Sequence, residues 1–133
     1  MKYLLLLAVS MIFFSCTKSK KIEKTIVGTW NISEFYNSIQ TSTFYGDTTV
    51  YNIGSLTFNE AGTGKWEVPG FNTDSFTWTN DSKNIYLVKN NPYNSKDTLE
   101  IVEFSKNKMI VKSTDTENVT GITTFHYVYT LIK

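Results

Sequence analysis

From Ile26 to Lys133 the chain alternates short runs of β-branched and aromatic residues with clusters of Gly, Asn, Asp and Lys. That is the pattern of an antiparallel meander, and no stretch carries a convincing amphipathic helix of useful length. The runs predict strands over 26–36, 42–45, 48–52, 55–59, 64–68, 75–79, 84–89, 98–104, 108–113 and 122–132. Side chains alternate across a strand, so Leu56 and Phe58, Trp66 and Val68, Phe76 and Trp78, Ile85 and Leu87, and the series Phe125, Tyr127, Tyr129, Leu131 each share one face and should form the interior.

Tight turns are expected at Gly46-Asp47, Glu60-Ala61-Gly62-Thr63, Asn80-Asp81-Ser82-Lys83 and Lys106-Asn107, whose residues tolerate left-handed backbone or bond to it locally. Strict alternation breaks between Ile101 and Val102, which predicts a bulge or a strand covered on both faces. Many short strands with tight turns favour a closed barrel or a two-sheet sandwich, since both protect strand edges. The expected fold is all-β: a small antiparallel meander barrel of about eight to ten strands.

The N-terminus has a different pattern. Lys2 is followed by an apolar run from Tyr3 to Phe14 interrupted only by Ser10, then Ser15-Cys16. The run is too short to span a bilayer and has the length of a signal-peptide core. Cys16 is the only cysteine and stands where a lipoprotein signal peptidase leaves a thiol for acylation, with Phe13-Phe14-Ser15-Cys16 resembling a lipobox. The expected organisation is a signal peptide over 1–15, a lipidated Cys16 with a polar tether to residue 25 containing Lys18, Lys20, Lys21 and Lys24, and one domain over 26–133. An ordinary secretory signal cut at a later bond, or an uncleaved anchor, is the alternative.

Charge narrows the partners. All 13 basic residues are Lys, so no bidentate guanidinium is available for phosphate or carboxylate. From Thr25 to Lys133 there are 8 Lys against 11 Asp and Glu, a net −3, which argues against a nucleic-acid-binding surface. His126 is the only histidine and by alternation points away from the interior, where a zinc site or a nucleophilic triad would need convergent partners. Glu100 and Glu103 are the closest acidic pair on a strand, but a separation of three puts them on opposite faces unless the bulge intervenes. Gly62-Thr63-Gly64 joins two strands and opens no helix, so it is not a phosphate loop. No catalytic residue, metal or cofactor is assigned, and the expectation is a protein that is not an enzyme.

Gly28-Thr29-Trp30, within Ile26-Val27-Gly28-Thr29-Trp30, resembles the GxW signature that opens lipocalins and the start of lipocalin-like lipoproteins of the Bacteroidetes. Leu56 to Gly64, Phe76-Thr77-Trp78-Thr79 and the closing aromatic strand from Phe125 to Leu131 are similar to the same group. The resemblance implies a barrel whose first strand bends at Gly28 while the Trp30 indole plugs the narrow end. Lipocalins lay an Arg from a late strand over that tryptophan; this chain has none, leaving Lys133 or Lys112 to substitute. In that group the lysines after Cys16 imply the periplasmic side of the outer membrane, with cell-surface display as the alternative. Asp47-Thr48-Thr49 and Asp97-Thr98-Leu99 resemble the short O-glycosylation motif of the phylum.

Resemblance and aromatic alternation together assign Phe58, Trp66, Phe76, Trp78, Tyr127 and Tyr129 as contacts for a small apolar or amphipathic ligand at the open end of the barrel. The competing expectation is a barrel filled by these same side chains, an accessory protein presenting loop aromatics such as Tyr36, Tyr45, Phe71 and Tyr93 to an envelope protein.

Overall fold

A computed structural model describes residues 18–117 and 122–133. The signal peptide expected over 1–15 and Cys16 lie outside the described residues. Eight antiparallel strands form a closed up-and-down barrel in sequence order: β1 Gly28–Gln40, β2 Tyr45–Phe58, β3 Thr63–Glu67, β4 Asp74–Asn80, β5 Asn84–Lys89, β6 Lys96–Phe104, β7 Lys108–Glu117 and β8 Thr123–Ile132, with β8 pairing back onto β1. This is the all-β meander barrel that the alternation predicts.

Ten runs become eight strands because three of them meet in β2: the run 42–45 is the β1–β2 reversal up to Tyr45, where β2 begins, and the next two are continuous. The runs 48–52 and 55–59 both belong to β2, which bends between them without ending: Asn52 (φ 53°) and Gly54 (φ 149°) adopt left-handed backbone opposite the register shift between Ile32 and Glu34. Gly46-Asp47 is no turn, since Gly46 stays in the ladder opposite Ile39. The reversal lies at 41–44, where the Thr41 hydroxyl accepts the Phe44 amide at 2.9 Å and the Thr41 amide donates to the Phe44 carbonyl at 2.8 Å. The turns around Gly62, Asp81 and Lys106 form where expected. At the β4–β5 turn Asp81 accepts the Lys83 and Asn84 amides, both at 2.7 Å, and the Tyr86 hydroxyl at 2.6 Å; these bonds, Tyr86 foremost, hold its carboxyl down at about 2.

The expected bulge is present in β6, between Ile101 and Glu103. It turns Val102 outward and brings Glu100 and Glu103 onto the same outer face, where each pairs with a lysine of β7, Lys112 and Lys108, at 3.2 Å. Both pairs are exposed and structural.

The larger correction concerns the tether. Its described part is not extended: residues 18–26 are helical (α1), including Ile26, which the pattern placed in a strand. Ile22 and Ile26, one turn apart, are both buried in the core, so two apolar positions among the lysines suffice to seat the helix once a barrel end is there to receive them. The last turn is then clasped from two sides. Trp30, fully buried, donates its indole Nε1–H to the Ile26 carbonyl at 2.6 Å. Lys133 donates through Nζ to the Thr25 and Val27 carbonyls, at 2.9 and 2.6 Å, and stands 4.9 Å from the centre of the Trp30 ring. Lys133, not Lys112, therefore covers the tryptophan, satisfying orphan carbonyls and the negative end of the helix at once. Gly28, at φ 125°, is needed for this approach, because a Cβ there would lie 2.7 Å from Lys133 Cε.

All the buried apolar core residues described lie between Ile22 and Leu131, so the described core is contained in residues 18–133. Ile26→Ala is expected to destabilise the fold by about 2–5 kcal/mol. Lys133→Ala should cost about 2 kcal/mol while Lys133→Arg, which keeps the charge over Trp30, loses little. Urea unfolding of the three variants checks both.

Candidate functional site

The strands differ in length in a way that shapes one end. β1, β2, β7 and β8 run 13, 14, 10 and 10 residues, whereas β3, β4 and β5 run 5, 7 and 6. At the end closed by α1 all eight strands pair in a ring. Toward the other end β2 pairs with β3 only from Ser55 to Phe58 and β7 with β6 only from Met109 to Lys112, so β7, β8, β1 and β2 continue as a wall rising beside the mouth.

The inner face of that wall is set by the shift at Ser33. Trp30 and Ile32 point inward, and strict alternation would continue with Glu34 and Tyr36; with Ser33 bulged out and donating to the Thr130 carbonyl at 3.0 Å, the phase flips and Phe35 turns inward. Phe35 packs on Tyr129 at 4.9 Å and stacks on Tyr127 at 6.1 Å; Tyr127 stacks on Phe125 at 6.3 Å with the rings 2° from parallel. Trp66 of β3 meets Tyr129 edge-on at 5.5 Å. The result is a continuous aromatic row, Trp66, Tyr129, Phe35, Tyr127, Phe125, climbing from the core to the mouth. Only Tyr129 of the five is buried outright; the others are half-buried.

Two charged residues join the row. Lys89 ends the inward series Ile85, Leu87, Lys89, and Asp97 begins the inward series Asp97, Leu99, Ile101; they form an ion pair at 3.0 Å with Lys89 Nζ 5.6 Å from the Trp66 ring centre. Burial, reinforced by the negative charge of Asp97, pushes the Tyr129 phenol well above its ordinary value. Trp66 Nε1 and Asn37 Oδ1 are both buried without a hydrogen-bond partner among the described residues. Beside the row a groove of about 320 Å³ is lined by Trp66, Val68, Phe71, Asn72, Asp74 and Lys89.

The six residues assigned from sequence divide between two places. Phe58, Phe76 and Trp78 lie in the closed half: Phe58 meets Phe76 and Trp78 edge-on at 5.6 and 5.3 Å, and the Trp78 indole donates to the Asn59 and Thr63 carbonyls at 3.2 and 3.1 Å. Their rings and polar atoms are occupied by the fold itself. Trp66, Tyr127 and Tyr129 lie together at the mouth, joined by Phe35, Lys89 and Asp97, which sequence reasoning missed. A signal for Phe35 was present: Trp30 and Ile32 lie in one alternation phase and Phe35 and Ile39 in the other, the same break that disclosed the bulge in β6. His126 is exposed on the outer face, its Nδ1 3.3 Å from the Thr114 hydroxyl. Phe71 and Tyr93 are exposed in loops at the mouth, but Tyr36 and Tyr45 are strand residues whose hydroxyls bond at 2.9 Å, pushing the Tyr45 phenol up to about 12.

No protein-family model matches the chain, and no curated protein matches it. The site is therefore read from its own geometry.

A phenol whose pKa is raised by folding leaves stability intact below about pH 10 and lowers it as pH rises further. Tyr129→Phe, with no proton to lose, should shift alkaline unfolding to higher pH, as followed by tryptophan fluorescence.

Proposed function

We propose that this protein is a non-catalytic binding module, a lipocalin-like lipoprotein tethered to the outer membrane, facing the periplasm, through lipid on Cys16, which holds a small amphipathic molecule at the mouth of its barrel. The observation that carries the reading is the aromatic row from Trp66 to Phe125 on the inner wall of the mouth, half-buried and ending beside an ion pair. Flat rings offer apolar area at low entropy cost, while Lys89, Asp97 and the unpartnered Trp66 Nε1 offer polar anchors, the combination that orients a ligand in a concave site. Ligand contacts are accordingly assigned to Trp66, Tyr127, Tyr129 and Phe35, and Phe58, Phe76 and Trp78 are assigned to the floor beneath them. The GxW-type opening and the Lys133 cover over Trp30 support the lipocalin-like reading, and the Ser15-Cys16 junction after an apolar run supports the anchor.

Native mass spectrometry of residues 18–133, exported behind a cleavable secretory leader and purified from the host envelope without detergent, tests the binding. A discrete added mass that disappears on organic extraction is expected. Tyr127→Ala should weaken re-uptake about fivefold, the size of one aromatic contact, and Phe35→Ala similarly. Tyr93→Ala in the outer loop should leave it unchanged. A clean apo mass with no uptake from host lipid and metabolite extracts defeats the reading.

A further inference from the structure

The charges of the barrel are sorted along its axis. At the closed end α1 exposes Lys18, Lys20, Lys21 and Lys24, and the β4–β5 and β6–β7 turns add Lys83 and Lys106, against Glu23, Glu60 and Asp81. At the mouth the order reverses, with Asp47, Asp74, Asp97 and Asp115 against Lys89 and Lys96. The protein is thus a dipole whose basic pole is the end at which the N-terminal segment enters α1.

That pole also holds a shaped groove. About 710 Å³ of space runs between α1 and the β6–β7 corner, with Ile22, Ile101, Val102 and Phe104 as its apolar floor and Lys18, Lys21 and Lys106 on its rim; no carboxylate is among the described residues lining it. Val102 is 57% exposed because the β6 bulge turns it out of the barrel, so the groove presents apolar surface that the fold itself leaves uncovered. An apolar floor rimmed by ammonium groups complements one occupant in chemistry and in polarity: a phospholipid with an anionic headgroup, its phosphate among the lysines and its chain on the floor.

We propose that the closed end of the barrel is a membrane-docking face that binds anionic phospholipid in the groove between α1 and the β6–β7 corner. The bilayer then holds the molecule with its basic pole down and its acidic mouth turned away from the surface. Neither lipid on Cys16 nor a ligand in the mouth is needed for this, and residues 18–133, which contain no cysteine, serve for the test.

In co-sedimentation at about 50 mM salt, residues 18–133 should bind vesicles of phosphatidylglycerol and phosphatidylcholine but not vesicles of phosphatidylcholine alone, and binding should fall steeply toward about 300 mM salt. Each lysine removed from the rim should weaken partition about fivefold, so the exposed pair Lys21→Gln with Lys106→Gln loses roughly twenty-five-fold, and Lys65→Gln on the barrel side loses nothing. A fluorophore placed at Asn107→Cys should be shielded from an aqueous quencher by anionic vesicles, while one at Tyr93→Cys at the mouth should not. Equal binding to neutral vesicles, no binding to anionic ones, an unaffected double variant, or shielding at Tyr93 and not at Asn107 would each overturn the proposal. Displacement by RNA at equal phosphate concentration would also overturn it, by making the face a general polyanion site.

Discussion

The last turn of α1 leaves carbonyls that have no partner inside the helix, and Trp30 and Lys133 supply those partners from opposite ends of the chain. The indole donates from the start of β1 and the ammonium from the residue after β8, so the clasp joins the two strands that close the barrel. It also presses Ile22 and Ile26 into the base, where they seal the core formed by Phe58, Phe76, Trp78 and Met109. With one end shut in this way, the barrel opens at the other, and the asymmetry of the rest follows from that.

Strand length is the second asymmetry, and backbone irregularities produce its chemistry. The bulge at Ser33 and the left-handed residues Asn52 and Gly54 bend β1 and β2 together and let them continue past the short strands β3 to β5. The same bulge reverses which side chains face inward, placing Phe35 beside Tyr127 and Tyr129 where Glu34 would otherwise intrude. In β6 a second bulge does the opposite service at the other end, turning Val102 outward onto the groove beside α1. Two single-residue slips thus account for the aromatic mouth and for the uncovered apolar floor at the base. Mouth and base are opposite in charge as well as in shape.

Period-two alternation was enough to read Leu56, Phe58, Phe76, Trp78, Ile85, Leu87, Tyr129 and Leu131 as interior, because those strands are regular and a single face is buried. The turns at Gly62, Asp81 and Lys106 were legible for a related reason: their residues solve a local backbone problem that does not depend on the rest of the chain. The structure parts from the pattern where a local signal is outweighed. Gly46-Asp47 has turn chemistry, yet pairing with β1 carries the chain through it as strand. A lysine-rich segment with two isoleucines has too little amphipathic character to hold a helix alone, and becomes one because the barrel base supplies the apolar surface it lacks.

By itself the sequence determined an all-β meander, the identity of most of its core and a lone cysteine after an apolar run, since each of these rests on residue type or on spacing within a few positions; the tryptophan plug and its cationic cover were implied by the resemblance of Gly28-Thr29-Trp30 to the lipocalin opening. Only the tertiary structure decided which lysine covers Trp30, that six candidate aromatics divide into a floor and a mouth, that Phe35, Lys89 and Asp97 join the mouth, and that the basic residues gather at one pole. Those outcomes depend on register, bulges and the closure of β8 onto β1, which bring together side chains up to about a hundred positions apart, a distance over which local propensity carries no information.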